Sequence, residues 1–224
     1  MSIDIANEKA RKKRAGKMVG ILKDMYPKPK SELKYKTQFQ FLVAVILSAQ
    51  ATDKKVNEIT KDIFKKYKTA CDFAKLGTDE FEKMISSISF FRNKAKNIIK
   101  TAQIICSEYK NRVPKNLDEL QKLPGVAYKT ANVVLGELFD IWEVIAVDTH
   151  VRRFALKFDL CDSKDPNKIA KYLEELIPKK DWKYVNNGLV LYGRYVCPAK
   201  KHDCAEHTLT KIWPESAKRW PKSK

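Results

Sequence analysis

The sequence predicts an all-α protein, on three observations. Apolar residues recur at helical spacing along most of the 224-residue chain. Strand-type alternation is scarce. Glycine, which punctuates the turns of β-rich chains, occurs only 7 times. About ten short helices account for the pattern.

Taken in chain order, "FLVAVIL" at 41–47 is the longest apolar run; it is too short to cross a membrane and reads as a core segment. "TDKKVNEITKDIFKKY" puts Val56, Ile59, Ile63 and Phe64 on one face, with Thr52 or Asp53 as N-cap. "NKAKNIIKTAQIICSEY" gathers Ala95, Ile98, Ile99, Ala102, Ile105 and Cys106. "KTANVVLGEL" continues with Ala131, Val134 and Leu135. "DPNKIAKYLEELIP" opens with Asp165 as cap and Pro166 at the first helical position. "WKYVNNGLVLYGRYVC" carries Val185, Leu189, Leu191 or Tyr192, and Val196. No periodic repeat suggests a solenoid.

Charge narrows the partners. Lys and Arg number 45 against 27 Asp and Glu, a formal net charge of +18. A polyanion is the economical partner, with nucleic acid first, an anionic membrane surface second and simple solubility as the bland alternative. The opening residues, "MSIDIANEKARKKRAGKM", hold no apolar core of a secretory signal. Cys71, Cys106, Cys161, Cys197 and Cys204 form an odd, scattered set, which predicts a reducing compartment and no disulfide framework.

"ELQKLPGVAYKTANVV" reads as a short helix, a Pro-Gly turn and a second helix. Leu123 and Val126 can pin the turn to a core. The second helix then starts with backbone N–H groups pointing outward, which suits one phosphate; an ordinary αα-corner is the alternative. Such a device positions a protein on a backbone and reads no base.

"LPGVAYKTANVVL" followed by "AVDTHVRR" at 146–153 resembles the helix-hairpin-helix DNA glycosylases, specifically the endonuclease III family. "FLVAVILSAQATD" at 41–53, "FFRNKAKNI" at 90–98 and "LYGRYVC" at 191–197 are similar to that family too, in the same order. The likeness runs from about residue 20 to about residue 204. It implies two helical domains with a DNA-binding cleft between them: a six-helix barrel with the hairpin, 33–146, and a discontinuous domain, 1–32 with 147–224. It implies as partner double-stranded DNA carrying a damaged base or an abasic site, bound by a monomer without a membrane.

The resemblance also implies roles. Lys129 would be the amine that displaces the base and forms a Schiff base, placed where burial, the helix N-terminus and nearby cations disfavour its charge. Asp148 would stabilise the cationic sugar; alone, it reads as a helix cap. Gln50 would fill the gap left by the extruded base, and Phe90 would wedge the opposite strand, against plain readings as a helix-end polar residue and a core aromatic. Gly125, Val126 and Ala127 would form the phosphate-binding turn, with Ala127 strained if it needed a positive φ. His150 supports the Asp148 turn or contacts phosphate. The activity implied is removal of oxidised pyrimidines with strand cleavage. A monofunctional glycosylase and a non-catalytic DNA-binding relative are the alternatives.

One departure concerns metal. Many members of the family hold a [4Fe–4S] cluster on C-x6-C-x2-C-x5-C. Here Cys197 and Cys204 keep the first spacing, while His207 and Trp213 occupy the other two positions. Two cysteines and one histidine leave a cluster incomplete and a zinc site short of a ligand, so no cofactor and no metal site is expected. Trp213 and Ile212 would pack inward in its place, presenting Lys200 and Lys201 of loop 198–203 to phosphate.

Overall fold

A computed structural model describes residues 5–221, whose regular elements are all helical, with no strand among them. The chain divides into two compact units: Ser31–Ile141, and a second that takes the chain on both sides of it, up to Lys30 and from Trp142 on.

The unit Ser31–Ile141 holds α2 (Gln38–Ser48), α3 (Asp53–Lys66), α4 (Ala70–Ala74), α5 (Thr78–Met84), α6 (Phe91–Ser107), α7 (Leu117–Lys122) and α8 (Tyr128–Phe139). Every residue of α2 from Phe39 to Leu47 is buried. A helix apolar all round belongs at the centre of a unit, and the other helices cover it. Gln40 is the one polar residue in that run, and it is satisfied: its amide donates to the carbonyls of Phe64 and Tyr67, both at 2.9 Å, and its oxygen accepts from Lys36 N at 2.9 Å. Of the two caps considered for α3, Thr52 is used, accepting from Lys55 N. On α6 the face Ala95, Ile98, Ile99, Ala102 and Ile105 is buried.

Cys106 departs from that face. It forms a disulfide with Cys71 across 35 residues of chain, joining α6 to α4 with Cα atoms 5.0 Å apart. This one bridge runs against the reading of the cysteines as a scattered set in a reducing compartment with no disulfide framework. Nearby Asn111 accepts from the backbone N–H of Ala70 at 2.8 Å and fixes the start of α4.

The second unit contains α1 (Ile5–Met25), α9 (Thr149–Lys157), α10 (Pro166–Leu176) and α11 (Leu189–Tyr195), the last entered through a π-helical turn, Tyr184–Gly188. Ala15, Met18, Val19 and Leu22 form the buried stripe of α1 and pack in a core with Phe154, Phe158, Leu173, Leu189 and Tyr192. Arg11 grips Asp162 through both guanidinium nitrogens, and Arg14 pairs with Asp159 at 3.1 Å. Asp165 and Pro166 begin α10 as the sequence predicts.

Candidate nucleic-acid interface and metal centre

The hairpin is built on α7 and α8. Leu123 and Val126 are buried and hold the turn. Thr101 of α6 donates its hydroxyl to Pro124 O at 2.8 Å. Gly125 sits at φ +80, and a Cβ there would lie 3.0 Å from the Cβ of Asn97. Glycine is required twice over, by the left-handed backbone and by the approach of α6. Ala127 is the N-cap of α8 at φ −74 and ψ 166, ordinary extended backbone, so alanine carries no strain there. Its side chain cannot cap, and the helix start keeps its dipole open to an anion. Gly125 and Ala127 are exposed, whereas Val126 turns inward and its N–H is used on Leu123 O at 3.1 Å. Val126 therefore shapes the turn from within.

Lys129 stands on the first turn of α8 and is exposed. The partial burial expected of it is not found.

Gln50 and Phe90 share a feature that their sequence does not reveal. Both are non-glycine residues in left-handed backbone, at φ 56 and φ 59, and both are exposed. A left-handed L-residue costs about 1–2 kcal/mol. Each sits at a helix end: Gln50 after the C-cap of α2, Phe90 as the N-cap of α6. Phe90 is 62% exposed and so is no core aromatic. Lys94, buried one turn into α6, donates to Leu47 O at 2.8 Å and Ala49 O at 2.6 Å. One ammonium thus ties the two loops together and satisfies carbonyls at the end of α2. Burial pushes the Lys94 pKa down.

Asp148 and His150 belong to the other unit. Asp148 caps α9, its carboxylate accepting from Val151 N at 2.8 Å, and it is half-buried. His150 is also half-buried and lies against Gly193, where any Cβ would collide with the imidazole and with Arg153. This explains the glycine in "LYGRYVC". Arg153 is buried beneath, its pKa lowered by desolvation against the opposing influence of Cys197 and Asp148.

The expectation that no metal site exists is overturned by four side chains. Cys197, His202, Cys204 and His207 bring one donor atom each to within 4.8 Å of one another. The fourth donor is His202, inside the loop between the cysteines, at a position the family spacing does not point to. Both sulfurs are buried, and the histidines are half-buried. Trp213, with Ile212, packs partly buried against the core that includes Cys197 and Cys204, as the sequence predicts, but it does not take the place of the four donors. Its ring is stacked by the guanidinium groups of Arg14, at 4.5 Å, and Arg219, at 4.8 Å, while Trp220 packs against His202 at 4.9 Å. The segment beyond is held by buried Lys157, which donates to Ser216 O at 2.7 Å and Arg219 O at 2.9 Å. Lys200 and Lys201 are exposed on the loop.

A glycine-turn hairpin opening on an uncapped helix N-terminus defines a helix-hairpin-helix protein. The chain matches the HhH-GPD superfamily of base excision DNA repair proteins over residues 43–179. It is 42% identical to endonuclease III of Synechocystis sp. over 92% of this chain and 94% of that one. It is 48% identical to endonuclease III of Rickettsia felis over 80% and 83%. Among solved structures, a trapped covalent endonuclease III–DNA intermediate superposes with a TM-score of 0.82 at 38% identity, covering 94% of this chain and 99% of that one. The chain belongs to the endonuclease III family of base excision DNA repair proteins.

Proposed function

We propose that the chain is a bifunctional DNA glycosylase and AP lyase that removes oxidised pyrimidines from double-stranded DNA. The observation that carries this reading is an exposed lysine, Lys129, on the first helical turn after a glycine hairpin, in a chain similar to an endonuclease III trapped covalently on DNA. In this reading, the hairpin N–H groups and the α8 dipole hold a phosphate. Gln50 occupies the gap left by the flipped nucleotide, and Phe90 presses on the bases opposite.

The neutral amine of Lys129 attacks C1′, and the base departs with the glycosidic electron pair. Asp148 opposes the positive charge that develops on the sugar. The ammonium so formed passes a proton to O4′ as the C1′–O4′ bond breaks and the sugar ring opens, leaving a protonated imine. Loss of a C2′ proton expels the 3′ phosphate and cuts the strand. Lys200, Lys201 and His150 add phosphate contacts. The relatives are bacterial enzymes, which supports a cytoplasmic or nucleoid-associated protein, acting in this reading as a monomer. No described helix is long and apolar enough to cross a membrane.

Borohydride trapping on an abasic duplex tests the lyase half. A covalent complex with wild type, together with release of an oxidised pyrimidine from a lesion duplex, is the expected pair of results. Base release without trapping favours a monofunctional glycosylase, and neither result favours a DNA-binding relative.

A further inference from the structure

We propose that Cys197, His202, Cys204 and His207 bind one zinc-type ion in a tetrahedral structural site that fixes the loop 198–203. The family normally carries a [4Fe–4S] cluster, and these residues do not fit one. Such a cluster takes four thiolates, each on a different iron. Here only two donors are sulfur. Cys161 engages Ser163 O instead, and Cys71 and Cys106 are bonded to each other.

The donor set and its spacing suit a single ion. Zinc bonded at about 2.3 Å to sulfur and 2.0–2.1 Å to nitrogen holds its ligands roughly 3.3–3.8 Å apart. The four donors lie within 4.8 Å of one another, so a small contraction closes the site. Two thiolates cancel the charge of a divalent ion, which suits buried sulfurs.

The histidines are set up as ligands. His202 Nδ1 lies 2.7 Å from Lys200 O, a contact that requires its N–H there and leaves Nε2 with a lone pair. That Nε2 is buried with no hydrogen-bond partner, and so is Nδ1 of His207. Two buried imidazole nitrogens without partners, beside two buried thiols, are donors that one bound ion would satisfy. The same backbone contact that orients His202 comes from Lys200, so the ion also sets the loop that carries Lys200 and Lys201. The pattern C-x4-H-x-C-x2-H is thus a metal motif written within eleven residues.

Metal analysis of the full chain, purified under argon, tests the proposal without reference to enzymatic activity. About one zinc per chain is expected, with no labile sulfide. Cobalt added to metal-free protein should give the visible bands of tetrahedral thiolate-bound cobalt. In His202→Ala, affinity in competition with a chromogenic chelator should fall by more than the ~10–100-fold that loss of an outer partner costs. Four irons with matching sulfide per chain would overturn the proposal. So would a wild-type chain that takes up neither zinc nor cobalt, whatever the folding of the variant. Cobalt bands unchanged in His202→Ala would remove that residue from the ligand set.

Discussion

The Lys94 ammonium donates to the carbonyl of Ala49 at 2.6 Å, joining the first turn of α6 to the residue before Gln50. Two loops that each carry an exposed side chain on left-handed backbone are therefore set by one buried cation. Replacing Lys94 by Met leaves the carbonyls of Leu47 and Ala49 without it, at a cost of about 1–3 kcal/mol in denaturant unfolding. Binding to a lesion duplex should weaken more than binding to undamaged duplex, because Gln50 and Phe90 engage only opened DNA in the proposed reading. Equal losses by fluorescence anisotropy would show that the tie serves stability alone.

Asp148 caps α9, and asparagine caps a helix about as well as aspartate. Asp148→Asn should then unfold within about 0.5 kcal/mol of wild type while excising base ~100-fold or more slowly. Lys129→Ala should bind DNA but form no borohydride-trapped complex. Single-turnover kinetics and trapping gels on the same preparations read both. An Asp148→Asn enzyme of normal rate reduces that carboxylate to a cap.

Gly125 combines φ +80 with a 3.0 Å approach to Asn97. Gly125→Ala should lower stability by about 1–2 kcal/mol and reduce affinity for duplex DNA. Gly125→Asp should reduce affinity further at equal stability, since it adds a carboxylate where a phosphate is proposed to sit. Similar affinity for the two variants would take the turn out of the DNA interface.

The Arg11 hydrogen bond holds the Asp162 carboxyl below the usual carboxylate range. A depressed folded-state pKa contributes stability above the unfolded value of about 3.9, lost as pH falls through the folded value. The Tm difference between wild type and Asp162→Asn should be constant at neutral pH and shrink below about pH 4. A difference that persists at low pH would mean that packing, not charge, makes the contact.

Periodicity and caps made most helices legible: Thr52, one of the two caps read for α3, and Asp165 cap their helices, and the stripe of α6 is buried except at Cys106. The Pro-Gly turn between two apolar stretches marked the hairpin, and the family likeness supplied the role of its lysine. Three things lay outside those signals. The Cys71–Cys106 pair depends on how α4 meets α6, which spacing does not encode. The left-handed states of Gln50 and Phe90 are imposed by the helix ends around them. His202 escaped because the cluster spacing drew attention to positions 207 and 213, although Cys197, Cys204 and His207 already made three-quarters of a ligand set. The stripe Ala15, Met18, Val19 and Leu22 was readable at helical spacing beneath the lysines and arginines of α1.

The unit to which α1 belongs is interrupted by the whole of Ser31–Ile141. On a ribosome, α1 emerges before Ser31–Ile141, but Asp162 and the core residues from α9 onward follow more than a hundred residues later. At ~5–20 residues per second, the 151 residues from Arg11 to Asp162 take roughly 8–30 s, and the stripe waits about as long for its partners. Ser31–Ile141 has all of its own residues before then. Translation therefore orders the assembly: the hairpin unit completes as a finished body, while the unit holding Asp148 and the metal motif closes around a helix made long before.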